Sequence, residues 1–282
     1  MNHTFLTKNC LSKNFFLLSN VMIKWLPMNE IWKLILLAIV GLIAGFVNVV
    51  AGGGSFLTLP VLIFAGLPGP VANGTNRIGI LIQNIFAVVR FHKLKVFPWK
   101  FALAVITPAT MGAIIGAFMA TEISDAAFRK ILAVIMIGIT FVSLYFKPTK
   151  RLQSGEEKVE LGSISWKKWT GIITAFFFIG IYGGFVQAGV GFLILSAIVL
   201  SGFDLVRGNA IKVFVVLIFT IFALGIFISK GQVNWSMGLS LAVGTTIGGQ
   251  FGAIASVKKG NKFIQKFVTV AIIVFAIKLL IS

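Results

Sequence analysis

Long apolar segments separated by short polar stretches fill most of the 282-residue chain. Each long segment approaches the roughly 20 apolar residues that a helix needs to cross a hydrocarbon core. The sequence predicts such helices over about residues 31–50, 75–92, 98–120, 127–146, 168–188, 209–229, 235–256 and 262–281. This pattern predicts an all-α polytopic membrane protein.

Two shorter apolar segments, at about 54–66 and 191–202, each follow a glycine-rich break. A helix of roughly 12 residues is only about 18 Å long, which is too short to cross comfortably. If both segments are re-entrant or broken helices, each half has four crossings and the chain has about eight. If both cross, the chain is an inverted repeat of five plus five, as in many transporters. We favour eight crossings, and ten remains the alternative.

The two sets of segments are two copies of one unit. Asn73 matches Asn209 at a constant offset, and GAIIG (112–116) matches GGQFG (248–252) at the same offset. We therefore predict a tandem duplication of a four-helix unit, with one short helix in each half. The predicted organisation is an N-terminal tail (1–27), a first transmembrane repeat (28–146), a polar linker (147–168) and a second transmembrane repeat (169–282).

The N-terminal tail has a basic start but no convincing small-residue cleavage site. Met28 opens MNEIWKL, which has the character of a membrane-protein start. Met1, Met22 and Met28 are therefore all candidate translation starts.

Charge supports a membrane protein. The chain has 25 Lys and Arg against 7 Asp and Glu, 58% hydrophobic residues and a mean hydropathy of +1.01. The basic residues cluster between apolar segments, as in loops that set topology and face anionic lipid. Because nucleic-acid-binding motifs are lacking in the sequence, we expect a lipid bilayer and no nucleic acid as partner.

The sequence offers little for catalysis. It contains one cysteine and two histidines, too few for a zinc-type cluster. It contains no nucleotide-binding loop and no nucleophile-base arrangement, and no acidic residue lies in the middle of a long apolar segment. We expect no enzyme activity, no metal and no cofactor.

The glycine breaks are the first candidate substrate site. A break at membrane depth leaves backbone N–H groups free, and these face protein or a wet cavity. Glycine permits positive φ and close approach, and the start of the following short helix favours an anion. The candidate residues are Asn48, Gly52, Gly53 and Gly54 in the first half, and Gln187, Gly189 and Gly191 in the second. Tight helix packing is the alternative explanation.

Two cations are the second candidate feature. Arg77 and Lys212 each lie near the start of a long predicted helix, where a cation opposes the helix dipole. A solute anion between them would compensate this charge, and charges inside a membrane protein are functional candidates. The polar neighbours are Asn73, Thr75 and Asn76 in the first half and Asn209 in the second. Snorkelling of both cations to headgroups is the alternative.

Glycine pairs four residues apart recur at Gly41/Gly45, Gly112/Gly116, Gly180/Gly184 and Gly248/Gly252. Small residues at this spacing let membrane helices approach closely. We interpret these pairs as helix-packing positions.

The stretches GLIAGFVNVVAGGGSFLTLPVLIFAGLPGPVANGTNRIGILIQN (41–84) and GIYGGFVQAGVGFLILSAIVLSGFDLVRGNAIK (180–212) resemble the TauE/SafE sulfite-exporter family of bacterial and archaeal permeases. The resemblance covers about residues 31–281. It implies a duplicated four-helix unit in the plasma membrane, the inner membrane of a bacterium or archaeon. It also implies transport of sulfite, sulfoacetate or related organosulfonates.

Together these features predict a secondary permease of small anions, working by alternating access between two pseudo-symmetric halves. Arg77 and Lys212 would supply positive charge, and Asn48, Asn76 and Gln187 would supply hydrogen bonds. The alternatives are a non-transporting membrane scaffold or assembly protein, or a permease for a different small solute. The sequence does not determine the oligomeric state, the direction of transport or the coupling ion.

Overall fold

The computed structural model describes residues 30–145 and 165–281. Every regular element in these two ranges is an α-helix, which confirms the predicted all-α class. The helices are α1 (Glu30–Val50), α2 (Ser55–Phe64), α3 (Gly69–Lys93), α4 (Trp99–Glu122), α5 (Asp125–Tyr145), α6 (Trp166–Phe185), α7 (Val190–Leu200), α8 (Leu205–Ser229) and α9 (Trp235–Ile281). The predicted tail and most of the predicted linker lie outside the described residues.

The chain divides into two compact units, Met1–Lys33 and Leu34–Ser282. The described part of the first unit is the first turn of α1, where Lys33 Nζ donates to Glu30 Oε1 at 2.8 Å. All residues of the candidate site belong to the second unit.

Four of the described helices, α1, α4, α6 and α8, are long and apolar enough to cross a membrane. Helices α2 and α7 have 10 and 11 residues and fall short of that length. The chain is therefore built as a multi-pass membrane protein. The number of crossings and the duplicated architecture remain predictions.

Helix α9 is broken at Gly260, where φ is 68° and ψ is −167°. This left-handed φ is a conformation that glycine adopts without a steric penalty. The break separates the two segments that the sequence predicts as 235–256 and 262–281.

Glycines set the closest helix contacts. A Cβ on Gly112 or Gly116 of α4 would collide with the carbonyl oxygens of Phe177 and Ile181 on α6. Glycines at 180 and 184 of α6 meet the α4 backbone in the same way, and Gly41 and Gly45 of α1 meet α9. Since only a residue without a side chain permits this approach, the packing interpretation of the glycine pairs is confirmed.

The outward faces of the long helices are apolar. Leu103, Met111 and Phe118 of α4 are each more than half exposed, as are Val243 and Phe251 of α9. Soluble proteins rarely expose contiguous apolar surface of this kind, whereas lipid tails cover it. The predicted site residues Asn73, Arg77 and Lys212, by contrast, are buried inside.

Candidate functional site

The two glycine breaks touch each other. The first separates α1 from α2, and the second separates α6 from α7. Gly52 and Gly189 have φ of 90° and 71°, in the left-handed region. A Cβ on Gly52 would lie 2.5 Å from the Cα of Gly191 and 2.8 Å from the nitrogen of Phe192. The breaks therefore meet backbone to backbone, at a point where a side chain does not fit.

Helix α8 caps the end of α1. Lys212 Nζ donates to the carbonyl oxygens of Asn48 at 3.0 Å and Val49 at 2.8 Å. Asn209 Nδ2 donates to the carbonyl oxygen of Val50 at 3.1 Å, and Asn209 Oδ1 accepts from Lys212 Nζ at 2.6 Å. A cation at a helix C-terminus is stabilised by the dipole. The last three carbonyls of α1 thus find their donors on α8.

Helix α3 caps the end of α6 in the same manner. Arg77 Nη2 donates to the carbonyl oxygens of Gly184 at 2.5 Å and Gly183 at 3.2 Å. Asn73 Nδ2 donates to the carbonyl oxygen of Phe185 at 2.8 Å. The guanidinium carbon also lies 4.8 Å from the centroid of the Phe227 ring, a cation–π arrangement. Each half therefore closes the broken helix of the other.

This reciprocal capping provides another source of charge compensation for Arg77 and Lys212. The sequence suggests that a solute anion compensates Arg77 and Lys212. In the structure, carbonyl oxygens at two helix ends supply that compensation from within the protein. An anion is consequently not needed to hold either cation in place, and their contact with substrate stays a prediction.

A small cavity lies beside Lys212, with room for about one water molecule. Its lining combines polar and apolar groups: Asn48, Ile80, Asn84, Gln187, Val190, Gly191, Lys212, Val213 and Val216. Gln187 Nε2 donates to Thr220 Oγ1 at 2.8 Å. Gln187 Oε1 and Asn84 Nδ2 are buried and have no hydrogen-bond partner among the described residues. Four of the predicted site residues, Asn48, Gln187, Gly191 and Lys212, thus come together around one space.

Other predicted residues lie elsewhere. Asn76 Nδ2 donates to Ser55 Oγ at 3.2 Å, and Thr58 Oγ1 donates to Asn76 Oδ1 at 2.6 Å, so Asn76 ties α3 to the first turns of α2. Thr75 Oγ1 accepts from the backbone N–H of Asn234 at 2.9 Å. These polar groups hold helices together and do not line the cavity.

Arg77 and the remaining glycines of the first break are also outside the cavity lining. Arg77 is fully buried, and its Nε and Nη1 have no hydrogen-bond partner among the residues that the structure describes. Gly53 and Gly54 are buried, and a Cβ on Gly54 would collide with Ala44 O. The charge beside the cavity is therefore that of Lys212.

Asn84 is a cavity residue that sequence reasoning missed. Counting from Asn73, the positions of Arg77, Ile80 and Asn84 follow at four, seven and eleven residues, the spacing of one helix face. That spacing was available in the sequence and would have placed Asn84 on the same side of α3 as the predicted cation.

Asp125 anchors the start of α3. Its Oδ1 accepts from the backbone N–H of Gly69 at 2.5 Å, and its two oxygens accept from Arg129 Nε at 3.0 Å. The Gly69 N–H, together with Arg129, lowers the pKa of the Asp125 carboxyl below its ordinary value. This contact fixes the helix that carries Asn73, Arg77 and Asn84.

Within residues 30–145 and 165–281, no three His, Cys, Asp or Glu side chains lie close enough together to hold a metal ion. The polar groups at the cavity are amides and one ammonium. Such groups can hydrogen-bond a small polar solute.

Comparison with known proteins agrees with a transport role. The family model described as sulfite exporter TauE/SafE matches residues 37–279. "Probable membrane transporter protein ORF9" of Sinorhizobium sp is 28% identical over 245 residues, covering 86% of this chain and 91% of the relative. A "Probable membrane transporter protein" of Haemophilus influenzae is 26% identical over 238 residues, covering 84% and 90%.

A third relative, "Probable membrane transporter protein YfcA" of Escherichia coli strain K12, is 28% identical over 242 residues, covering 86% of this chain and 87% of the relative. No solved structure matches the chain. Because the family match spans most of the sequence, this protein belongs to the sulfite exporter TauE/SafE family of membrane transporters.

Proposed function

We propose that the protein is a secondary transporter of small anions, with sulfite or an organosulfonate as substrate. It works by alternating access between two halves that a tandem duplication produced, with about eight crossings in all. The central site is the cavity beside Lys212. Asn48, Asn84 and Gln187 supply hydrogen bonds there.

The observation that carries this proposal is the position of Lys212. The side chain is 2% exposed and lines the cavity, and it forms no ion pair in the part of the chain that the structure describes. Its hydrogen-bond partners are neutral oxygens. The positive charge is therefore compensated only by dipoles, which leaves a net attraction for an anion.

The size of the cavity favours a moving site over a fixed channel. A space for about one water is too small for sulfite, so binding requires the surrounding helices to separate. The two breaks and their reciprocal caps join the halves at this point. A change in how the halves meet would open the cavity toward one side and close it toward the other.

The positions of the acidic residues favour an anion as the transported substrate. The described acidic residues lie at helix ends: Glu30, Glu122, Asp125 and Asp204. The cavity lining contains no carboxylate, which a bound cation would favour. Where the membrane potential is negative inside, it favours anion exit by about 2.3 kcal/mol per charge per 100 mV, which fits an exporter.

The test is flux of labelled sulfite in proteoliposomes that contain the full chain. Sulfate, thiosulfate and small sulfonates are measured in parallel. We expect Lys212→Gln to lower sulfite flux at least tenfold, since one charge-assisted contact is worth about 1.5–3 kcal/mol. Lys130→Gln is the matched control, because Lys130 is exposed on α5.

Arg77→Gln is the second variant. Arg77 positions the end of α6, and its buried charge adds to the field at the breaks, so we expect reduced flux. Absence of flux for every anion in the wild-type protein would refute the transporter proposal. Equal sulfite flux in Lys212→Gln and Lys130→Gln, with both proteins folded, would refute the central role of Lys212.

A further inference from the structure

A second donor cluster lies on the seam between α3 and α9, away from the central cavity. Arg90 Nε donates to Gln250 Oε1 at 2.9 Å. This bond uses the oxygen of the Gln250 amide, and the buried Nε2 has no hydrogen-bond partner in the part of the chain that the structure describes. The pair therefore presents a free amide donor next to a guanidinium.

Gln83 extends this cluster toward the interior. Its side chain is 1% exposed, yet neither Nε2 nor Oε1 has a hydrogen-bond partner in the described residues. It packs against α9, where a Cβ on Gly249 would lie 2.7 Å from Gln83 Cγ. Leaving a buried amide unpaired is costly, so a polar molecule is expected to occupy this part of the seam.

The cluster lies on α3 between a cavity-lining residue and the end of the helix. Gln83 and Arg90 are seven residues apart on α3, which is two turns and about 10 Å. Gln83 is followed directly by Asn84, which lines the cavity and whose Nδ2 has no hydrogen-bond partner among the described residues. Arg90 is half-buried, in the last turn of α3. Polar side chains with donor groups thus occur along α3 from the cavity lining to the end of the helix.

The surface at that end is strongly basic. Val96, after α3, and Val257, before the break in α9, pack against the same buried cluster. Their neighbours Lys93, Lys95, Lys258 and Lys259 are exposed. Arg90 itself pairs with no carboxylate within residues 30–145 and 165–281. A cluster of charges of one sign raises the local concentration of the opposite ion.

We propose that Arg90, Gln250 and Gln83 form an access site for a small oxyanion, which binds there on its way between the surface and the central cavity. Guanidinium and amide N–H groups are donors, and an oxyanion offers acceptors alone, so the chemistry matches. This inference rests on the proposed transport function. It adds a second binding position and names the seam through which the anion moves.

A purely structural role for Arg90 and Gln250 would predict something different. If their bond only holds α3 against α9, Gln250→Glu would keep the acceptor and convert the bond into an ion pair, with no loss of activity. If the pair binds an anion, the same change places a negative charge in the path and repels the substrate. Gln250→Glu therefore separates the two roles.

The experiment measures initial sulfite flux against sulfite concentration in proteoliposomes at constant ionic strength. We expect Arg90→Gln to raise KM roughly tenfold with maximal rate within about twofold, since a charge-assisted contact is lost at the point of capture. Gln250→Glu should raise KM further, and Arg90→Lys should restore part of the wild-type KM. Lys130→Gln removes one exposed positive charge elsewhere and should leave KM unchanged.

The outcomes distinguish the two proposals. If the wild-type protein moves no sulfite, the proposed function fails and this inference fails with it. If the wild-type protein moves sulfite, but Arg90→Gln and Gln250→Glu both keep the KM of Lys130→Gln, only the access site is refuted. Thermal unfolding of each variant in detergent shows whether a change in flux follows from a change in folding.

Discussion

The contact between the two glycine breaks makes a sharp prediction for Gly191→Ala. Gly191 is the second residue of α7 and does not have a positive φ. Its backbone conformation therefore suits alanine, and any penalty must come from the added methyl group. An alanine substitution at Gly52 would be harder to interpret, because its φ of 90° adds backbone strain to the steric effect of the methyl group.

The structure indicates the size of the effect. The added Cβ would lie 2.8 Å from Gly52 O and 3.0 Å from Gly52 C, with Gly52 Cα closer still, whereas ordinary contact is 3.4–4 Å. The obstacle is backbone, which cannot rotate away as a side chain can. Overpacking of this kind lowers the free energy of unfolding by about 3 kcal/mol. The higher helix propensity of alanine raises it by about 0.5–1 kcal/mol. We expect a net loss of about 2 kcal/mol of unfolding free energy.

The matched control is Gly225→Ala. Gly225 lies inside α8, and a Cβ there meets no atom within 4 Å. This variant should be unchanged or more stable by about 0.5–1 kcal/mol. Chemical or thermal unfolding in detergent compares the two variants with the wild-type protein, and sulfite flux in proteoliposomes is measured on the same samples.

We expect Gly191→Ala to lose both stability and flux, because the methyl group pushes apart the two breaks that border the cavity. If Gly191→Ala and Gly225→Ala have equal stability and equal flux, the backbone contact between the breaks does not exist in the folded protein. The arrangement of the central site would then have to be abandoned.

Two further changes test the supports of the site. Asn209→Ala leaves the carbonyl oxygen of Val50 without its side-chain donor, and an unpaired buried group costs about 1–3 kcal/mol, so the unfolding temperature should fall; an unchanged temperature would contradict the cap. Asp125→Asn weakens the contact with Gly69. The pKa of Asp125 is lower in the folded protein than its ordinary value of 3.8. The ionised carboxylate therefore stabilises the fold fully above pH 3.8, and this stabilisation is lost as the pH falls through the folded-state pKa. The stability difference from the wild-type protein should therefore be largest near neutral pH and shrink below pH 3.8, as followed by unfolding at several pH values.

Much of the fold follows from local sequence. The spacing of apolar residues, the glycine breaks and the segment lengths place most helix bounds within about four residues, since a helix satisfies its own backbone hydrogen bonds in lipid. The predicted start of α3 is wrong: the helix begins at Gly69, ahead of the predicted 75, so Arg77 lies well inside the helix. The glycine pairs are also predictable as packing positions, because small residues four apart lie on one helix face, although the pairing of α4 with α6 comes from the structure. These properties depend on residues that are near one another in the chain.

The sequence pattern also identifies most of the polar residues at the breaks. Asn48, Gln187 and Lys212 are uncommon residues in apolar surroundings, so their types and positions are enough to single them out. Asn84 was overlooked although its spacing from Arg77 is helical. Gln83 and Gln250 are equally visible as polar residues in apolar helices.

The partners of these residues depend on the tertiary structure. Lys212 and Val49 are 163 residues apart in the chain, and Arg77 and Gly184 are 107 apart. Every residue has a backbone carbonyl oxygen, whatever its side chain. Residue types therefore do not show which carbonyls at the end of one broken helix will accept hydrogen bonds from the other half.

The sequence by itself therefore determined that the protein is helical, where its helices break and most of the polar residues that the folded chain buries near the breaks. The folded chain alone decided that the breaks touch, that Lys212 borders the cavity while Arg77 does not, and that Arg90 meets Gln250. The physical reason is that burial and charge compensation depend on three-dimensional neighbours. Here those neighbours come from the opposite half of the chain.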